Sequence, residues 1–292
     1  MRMFIIANPR SGKNAAQKVI PKAKEFFERN YVDVEVYFTK SSGDATNAAK
    51  KAVKSKKYDI IVASGGDGTV NEVVNGIVGQ KTDVKFGIIP LGTENVLAQE
   101  THIPFNVMDA CRVIMGLKSR KMDVGKANDR YFVLMTGIGF DANVMPKVKP
   151  ILKKLIGGAA YHVAAWNELF KYKHSEMNIT IDGKKKVKGS YVVVGNTKLY
   201  GAQLKITHLA NIYDGLLDVC IFKGKDVFSF IRFAAGAVTK QHLGFPDVEY
   251  HKAKKVLVTS KEGLFGHVDC EILGRTPIRI KVVPKAVDLI IP

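Results

Sequence analysis

The sequence predicts an α/β domain with a parallel sheet, followed by an antiparallel β domain. Three observations carry this prediction. In the first third, short apolar runs alternate with helically spaced segments, the pattern of a parallel sheet with both faces covered. From about Asp123 the runs become short, β-rich and closely spaced. At the centre of the first part, residues 64–76 turn from a buried-strand pattern through three glycines into a helix. A length of 292 residues favours two domains over one. The expected boundaries are 1–122 and 123–283, and the final stretch 284–292 carries an apolar run that can join either domain.

Taken in order, residues 3–7 read as a buried strand and residues 15–30 as a helix. In that helix Ala16, Val19 or Ile20, Ala23 and Phe27 share a face, and Pro21 is expected to kink or restart it. Val32, Val34, Val36 and Phe38 alternate with polar neighbours, as in a half-buried strand. Ala45, Ala48, Ala49, Ala52 and Val53 mark a second helix. Residues 60–63 form a continuous apolar run, the mark of a central strand. After it, Val70, Val73, Val74 and Ile77 fall on one helical stripe, and Thr69 with Glu72 has the spacing of a capping box, so a helix start at Thr69 is expected. Residues 86–89 supply a further strand. In the second part, strands are expected at 131–135, 178–181, 191–194, 217–222, 256–259 and 278–283, with Asp182-Gly183 as a hairpin signal. Helical segments interrupt at 151–172 and 227–238, and the active site is expected in a cleft between the two domains.

Composition narrows the function. A chain that is 46% hydrophobic and 25% charged belongs with globular proteins. Cys111, Cys220 and Cys270 are scattered and odd in number, which favours a reduced, cytoplasmic setting over a disulfide framework. The N-terminal apolar run is too short for a signal peptide, and no uncharged apolar run is long enough to span a bilayer. The net charge of +18 calls for an anionic partner. The basic clusters at 118–121, 147–154, 184–188 and 252–255 come with no nucleic-acid-binding motif, so an acidic membrane surface is the better collective reading. Segment 151–172 mixes apolar and basic residues, which suits an interface as well as an ordinary packed helix.

The chemistry concentrates in loops. Gly65, Gly66 and Gly68 let backbone N–H groups face a phosphate at a helix start, and Asp67 among them suits a hydrated Mg²⁺. Asn8-Pro9-Arg10-Ser11-Gly12-Lys13 lacks P-loop spacing and gains weight only beside that turn. With Leu91-Gly92-Thr93-Glu94-Asn95, three loops should emerge at the carboxyl ends of neighbouring parallel strands, where α/β sheets bind ligands. Asp123 marks the change of pattern, and Asp214-Gly215 reads either as a turn or as a site. Asp269 and Glu271 alternate on an apparent strand, so both carboxylates should share one face, where pairing would raise a pKa as a general base requires. The seven histidines lie far apart and read as surface or core residues.

These motifs resemble the diacylglycerol-kinase-type lipid kinases in their soluble bacterial form, relatives of sphingosine kinases and NAD kinases. The resemblance lies in Asn8-Pro9-Arg10-Ser11-Gly12, Gly65-Gly66-Asp67-Gly68-Thr69-Val70-Asn71-Glu72, Leu91-Gly92-Thr93, Asp123-Val124-Gly125, Gly137-Ile138-Gly139-Phe140-Asp141, Asp214-Gly215-Leu216-Leu217-Asp218 and Asp269-Cys270-Glu271. The double-glycine motif is shared widely, whereas the ordered set is specific. It implies a Rossmann-like, NAD-kinase-like first domain and a β-sandwich-like lipid domain. It implies ATP contacts at Asn8, Pro9, Arg10, Ser11, Gly12, Thr39, Gly66, Asp67, Gly68, Thr69, Val70, Asn71, Glu72 and Thr93. Glu271 would be the base, Asp67 and Asp123 would hold a water–Mg²⁺ network, and Asp214 with the backbone oxygens of Asn211 and Leu216 would bind a structural Mg²⁺. Two departures stand out: Val96 replaces a usual Asp, removing a carboxylate from the implied network, and Cys270 replaces a glycine beside the base.

The implied function is ATP-dependent phosphorylation of diacylglycerol or a related lipid alcohol in phospholipid biosynthesis. The enzyme would be cytoplasmic and peripheral at the inner membrane face, with no nucleic-acid partner; a homodimer stays open. The alternatives are an NAD- or sphingoid-type kinase and a non-catalytic nucleotide-binding protein of the membrane surface.

Overall fold

A computed structural model of the chain describes residues 1–12, 16–139, 176–200, 204–269 and 271–292. The expected helix at 151–172, the basic cluster at 147–154 and Cys270 lie outside the described residues. The chain forms two compact units: Met1–Val124 with Ile212–Asp214 and Val283–Pro292, and Gly125–Asn211 with Gly215–Val282.

In the first unit, β1 (Arg2–Ala7), β2 (Asp33–Phe38), β3 (Ile60–Gly65) and β4 (Lys85–Pro90) lie in the order β2-β1-β3-β4, all parallel. Their connections are α1 (Ala16–Arg29), α2 (Asp44–Ser55) and α3 (Asp67–Ile77). The apolar runs of β1 and β3 are buried along their length, apart from the exposed Arg2, as strands covered on both faces must be. Met3, Ile5, Ile60 and Val62 pack in one core with Ile20 and Phe27 of α1 and with Cys111 and Ile114 of α5 (Val107–Gly116). Helix α1 runs through Pro21 without a break. Elsewhere in the unit α2 packs on α3, closely enough that a Cβ on Gly76 would lie 2.5 Å from that of Ala49.

The run expected to start a helix at Thr69 behaves otherwise. Helix α3 begins at Asp67, because the glycine turn winds directly into helix with Gly66 at its cap. The Glu72 carboxylate does not fold back as a capping box. It accepts the N–H groups of Gly43 (3.0 Å) and Ala45 (3.1 Å) at the start of α2, whose own cap residue, Gly43, has no side chain to offer.

Beyond α4 (Val96–Glu100), α5 and β5 (Ser119–Ala127), the second unit consists of antiparallel strands. These are β6 (Arg130–Phe132), β7 (Met135–Ile138), β8 (Met177–Ile181), β9 (Lys185–Gly189), β10 (Tyr191–Gly195), β11 (Leu217–Phe222), β12 (Val248–Ala253), β13 (Lys255–Ser260), β14 (Phe265–Val268), β15 (Glu271–Arg275) and β16 (Ile278–Ile290). One sheet has the order β12-β11-β10-β7-β14-β15; in the other, β16, β13, β8 and β9 are neighbours. One core joins them, with Val192, Val194, Val219 and Ile221 from the first and Ile179, Val256, Val258 and Ile280 from the second, the section of a β-sandwich. At the β8–β9 hairpin Asp182 and Gly183 both take positive φ, 48° and 71°, as a tight hairpin turn demands. Helix α6 (Val227–Thr239) is capped by Asp226 on the Ser229 N–H, 2.8 Å.

The apolar run expected at 131–135 is two strands, not one. The Asp269 carboxylate accepts the N–H groups of Val133, Leu134 and Met135 at 2.8–3.0 Å, which takes these groups out of any ladder. The C-terminal run belongs to the first unit: Asp288 and Leu289 of β16 pair in parallel with Lys85 and Phe86 of β4.

Candidate active site

The carboxyl ends of β1, β3 and β4 bring three loops together within the first unit. After β1, the Asn8 N–H donates to the Ser64 carbonyl (2.9 Å), and its side-chain oxygen accepts the Arg10 N–H (2.9 Å), closing the Asn8–Ser11 turn. The Asn8 amide also reaches the Thr69 hydroxyl at 3.4 Å. Thr39, at the end of β2, donates its N–H to the Ala7 carbonyl and thereby joins the same edge. Pro9, Ser11 and Thr39 are half-buried, while Arg10 and Gly12 are exposed.

After β3, Thr69 lies directly over Gly65: a Cβ on Gly65 would sit 2.4 Å from its hydroxyl oxygen. Gly66 and Gly92 touch through their backbones, since a Cβ on Gly92 would fall 2.5 Å from the Gly66 Cα. The Leu91 N–H donates to the Gly65 carbonyl (2.8 Å), and Asn95 closes the third loop by exchanging two hydrogen bonds of 2.8 Å with the Gly92 backbone. Thr93 stands exposed at that loop's tip. At the α3 end, the cap makes no side-chain hydrogen bond, and a Cβ on Gly68 would meet nothing within 4 Å. An uncapped helix start beside two glycine backbones leaves N–H groups of the kind that can receive phosphate oxygens.

Asp67 is the carboxylate of this edge. Its Oδ1 accepts the Leu97 N–H at 3.4 Å, in the first turn of α4. Burial pushes its pKa up, and the N–H groups of Leu97, Val96 and Asn95 only partly offset this. A cation would offset it further. Among the described residues no three His, Cys, Asp or Glu side chains cluster as metal ligands. Val96, where the resemblance implies a carboxylate, is buried in the α4 turn whose N–H groups face Asp67.

The remaining predicted residues lie on α3, on β5, in the turn before β11 and on β15. Val70 and Asn71 are buried, and the Glu72 side chain is committed to α2. Asp123, 1% exposed in β5, accepts the Lys285 N–H at 2.7 Å. Its own N–H donates to the Ile212 carbonyl, also at 2.7 Å. Asn211, Asp214 and Leu216 lie in one turn before β11, with Gly215 at φ 74°.

In the second unit Glu271 opens β15, half-exposed, with its carboxylate 2.5 Å from the Arg130 guanidinium. The expectation that Asp269 and Glu271 share a strand face is corrected. Asp269 lies in the turn between β14 and β15 at φ 42°, buried on the N–H groups of residues 133–135, so the two carboxylates have separate surroundings. Arg130 was not anticipated, and Asn95 was expected only as part of its loop, without the role of closing it. Asn95 had a signal, an Asn beside Gly92 in a glycine loop; Arg130 lies 141 residues from its partner and had none.

Residues 2–127 match the diacylglycerol kinase catalytic domain family, and residues 135–291 match the YegS C-terminal NAD kinase beta sandwich-like domain. The chain is 32% identical to a diacylglycerol kinase of Staphylococcus aureus (strain bovine RF122 / ET3-1), over 100% of this chain and 92% of that protein. It is 32% identical to a diacylglycerol kinase of Staphylococcus haemolyticus (strain JCSC1435), over 99% and 87%. Its fold is similar to a crystal structure of a candidate diacylglycerol kinase from Bacillus anthracis str. Sterne. The TM-score is 0.84 at 25% identity, covering 100% of this chain and 95% of that one.

Proposed function

Because the chain belongs to the diacylglycerol kinase family and is a kinase, we propose that it transfers the γ-phosphoryl group of ATP, with Mg²⁺, to the hydroxyl of diacylglycerol or a related lipid alcohol. The observation that carries this is the backbone cradle, in which the uncapped start of α3 lies beside the touching Gly66 and Gly92. Phosphoryl transfer depends on positioning and charge neutralisation, and such a cradle offers both.

In this reading Asn8, Pro9, Arg10, Ser11, Gly12, Thr39, Gly68, Thr69 and Thr93 line the nucleotide, with N–H groups of the first α3 turn on its phosphates. Asp67 would hold a hydrated Mg²⁺, and Asp123 would hold a water of the same network. When bound, that ion neutralises charge on the phosphate oxygens. Asp214 with the carbonyls of Asn211 and Leu216 would hold a structural Mg²⁺. Glu271 is the base: the acceptor oxygen attacks the γ-phosphorus, the bond to the bridging oxygen breaks, ADP leaves, and the hydroxyl proton passes to the Glu271 carboxylate. Arg130 fixes the orientation of that carboxylate. Excess basic charge keeps the protein at acidic lipid on the cytoplasmic side. Among the described residues no helix is long and apolar enough to cross a membrane.

The test is incubation with labelled ATP, Mg²⁺ and mixed micelles carrying diacylglycerol, other lipid alcohols or sphingosine, with NAD as a soluble acceptor. Label in a lipid alcohol is the expected result. Label on NAD, or no label while ATP still binds, overturns the proposal. Glu271→Gln is expected to lower turnover about 10²–10⁴-fold with ATP affinity unchanged. Undiminished turnover would remove Glu271 as the base.

A further inference from the structure

Two basic clusters roughly 70 residues apart in sequence meet on one sheet. The order β16-β13-β8-β9 sets the 184–188 stretch beside Lys255, the end of the 252–255 cluster, with one strand between them, and adds Arg279 and Lys281. One side of these strands is core: Ile179, Ile181, Val187, Val256, Val258, Ile278 and Ile280. The pleat therefore sends the alternate residues to the opposite face. There Lys255 stands directly across from Lys281, Leu257 from Arg279 and from Thr180, and Thr180 from Lys186. Lys255, Arg279 and Lys281 are exposed. With Lys126 they line an open concavity of about 700 Å³, which has Leu257 and Pro277 in its wall and one carboxylate, Asp129.

Folding does not require this arrangement. Like charges directly across an antiparallel pair destabilise it. Asp129 is the one carboxylate lining the concavity, and Asp182, at the neighbouring hairpin turn, is spent on the N–H groups of Lys254 and Lys255, at 3.0 and 2.8 Å. Lys188 pairs with Glu176, whereas Lys186, Lys255, Arg279 and Lys281 have no ion pair among the described residues. The outward positions of these strands hold no aromatic ring on which a nucleic-acid base could stack. A cationic sheet face with a few apolar side chains among the charges is instead complementary to anionic headgroups over hydrocarbon.

We propose that the outer face of β16-β13-β8-β9 docks the chain on an acidic phospholipid surface. The proposal rests on the lipid-kinase reading in that a water-insoluble acceptor has to be met at a bilayer. The residues involved, Lys126, Lys186, Lys255, Arg279 and Lys281, are distinct from those assigned to nucleotide, metal or base.

The full chain is sedimented with vesicles of phosphatidylcholine alone or with phosphatidylglycerol. Each basic residue near acidic lipid strengthens partitioning about fivefold. The variant Lys255→Gln/Arg279→Gln/Lys281→Gln should therefore bind acidic vesicles about a hundredfold more weakly, with no fall in unfolding temperature and unchanged turnover of a short-chain, soluble diacylglycerol. Lys50→Gln/Lys51→Gln/Lys54→Gln on α2 makes the same change in net charge and should leave vesicle binding nearly as it was. Equal loss in both variants would reduce the effect to net charge and overturn the docking face. So would wild-type vesicle binding by the sheet variant, or binding of duplex DNA through these residues with no binding to vesicles. If no lipid alcohol is phosphorylated in any assay, yet docking still follows the sheet residues, the activity reading fails and the docking face stands.

Discussion

Gly68 and Gly92 sit in the same cradle under opposite constraints. A Cβ on Gly92 would land 2.5 Å from the Gly66 Cα, so Gly92→Ala must push two backbones apart. It should cost about 1–3 kcal/mol in equilibrium unfolding. A Cβ on Gly68 meets nothing within 4 Å, and Gly68 lies in the first turn of α3. Gly68→Ala should leave the protein as stable or up to about 1 kcal/mol more stable, and yet, on the proposed reading, weaken ATP in a binding titration, because the methyl would occupy the space which that reading gives to phosphate. Wild-type ATP affinity in Gly68→Ala would place the phosphates elsewhere. Asp67 poses the same opposition between stability and function. Burial raises its folded-state pKa above the ordinary 3.8. A raised carboxyl favours the folded state below its unfolded pKa, and that contribution is lost as pH rises through the folded value. At neutral pH the ionised carboxylate therefore works against folding. Asp67→Asn should melt higher than the nucleotide-free wild type near neutrality, with the difference closing in acid, while turnover falls about 10–100-fold. A lower melting temperature at neutral pH would mean that the N–H groups of α4 already satisfy the charge.

At the scale of elements, α2 borrows its cap. Gly43 has no side chain, so Glu72 of α3 supplies the acceptor for the Gly43 and Ala45 N–H groups, and the Thr46 hydroxyl returns a bond to the Glu72 carbonyl at 2.8 Å. Glu72→Ala should therefore cost about 0.5–2 kcal/mol, as cap losses do. Chemical denaturation measures this, and KM for ATP should stay near the wild-type value; a large rise in KM with intact stability would return Glu72 to the nucleotide. The same residue marks the limit of reading sequence. The strand–glycine–helix unit, the parallel order of the first sheet and the Asp182-Gly183 hairpin were legible because period and turn chemistry are local. The Thr69–Glu72 spacing was a true local signal, but a partner on another helix offered Glu72 a better use. The same holds for Asp269, whose alternation with Glu271 suggested a shared face. Three N–H groups more than 130 residues away fix it in a turn instead, and they divide the 131–135 run. Side chains that bridge distant segments were the part not legible, and Arg130 on Glu271 is another case.

At the scale of the whole molecule, neither unit is one continuous stretch. The first unit needs Ile212–Asp214 and Val283–Pro292 in addition to Met1–Val124. The last ten residues carry Val287, Leu289 and Ile290, all at most 2% exposed, and cover an edge of β4 that would otherwise present unpaired backbone. Stability of the first unit is thus linked to a segment that follows the entire β domain in sequence. Leu289→Ala should cost about 2–5 kcal/mol, because it empties a fully buried position. Asp288→Asn is the matched control. It removes the partner of Lys85 (3.4 Å) at a half-buried site next to Leu289 and should cost less than about 1 kcal/mol. Urea unfolding followed by far-ultraviolet circular dichroism compares the two. Removal of residues 283–292 should go further and leave residues 1–124 without a cooperative transition. A Leu289→Ala protein within about 0.5 kcal/mol of wild type would show that β4 holds its own edge and that the C-terminal strand adds little to the first unit.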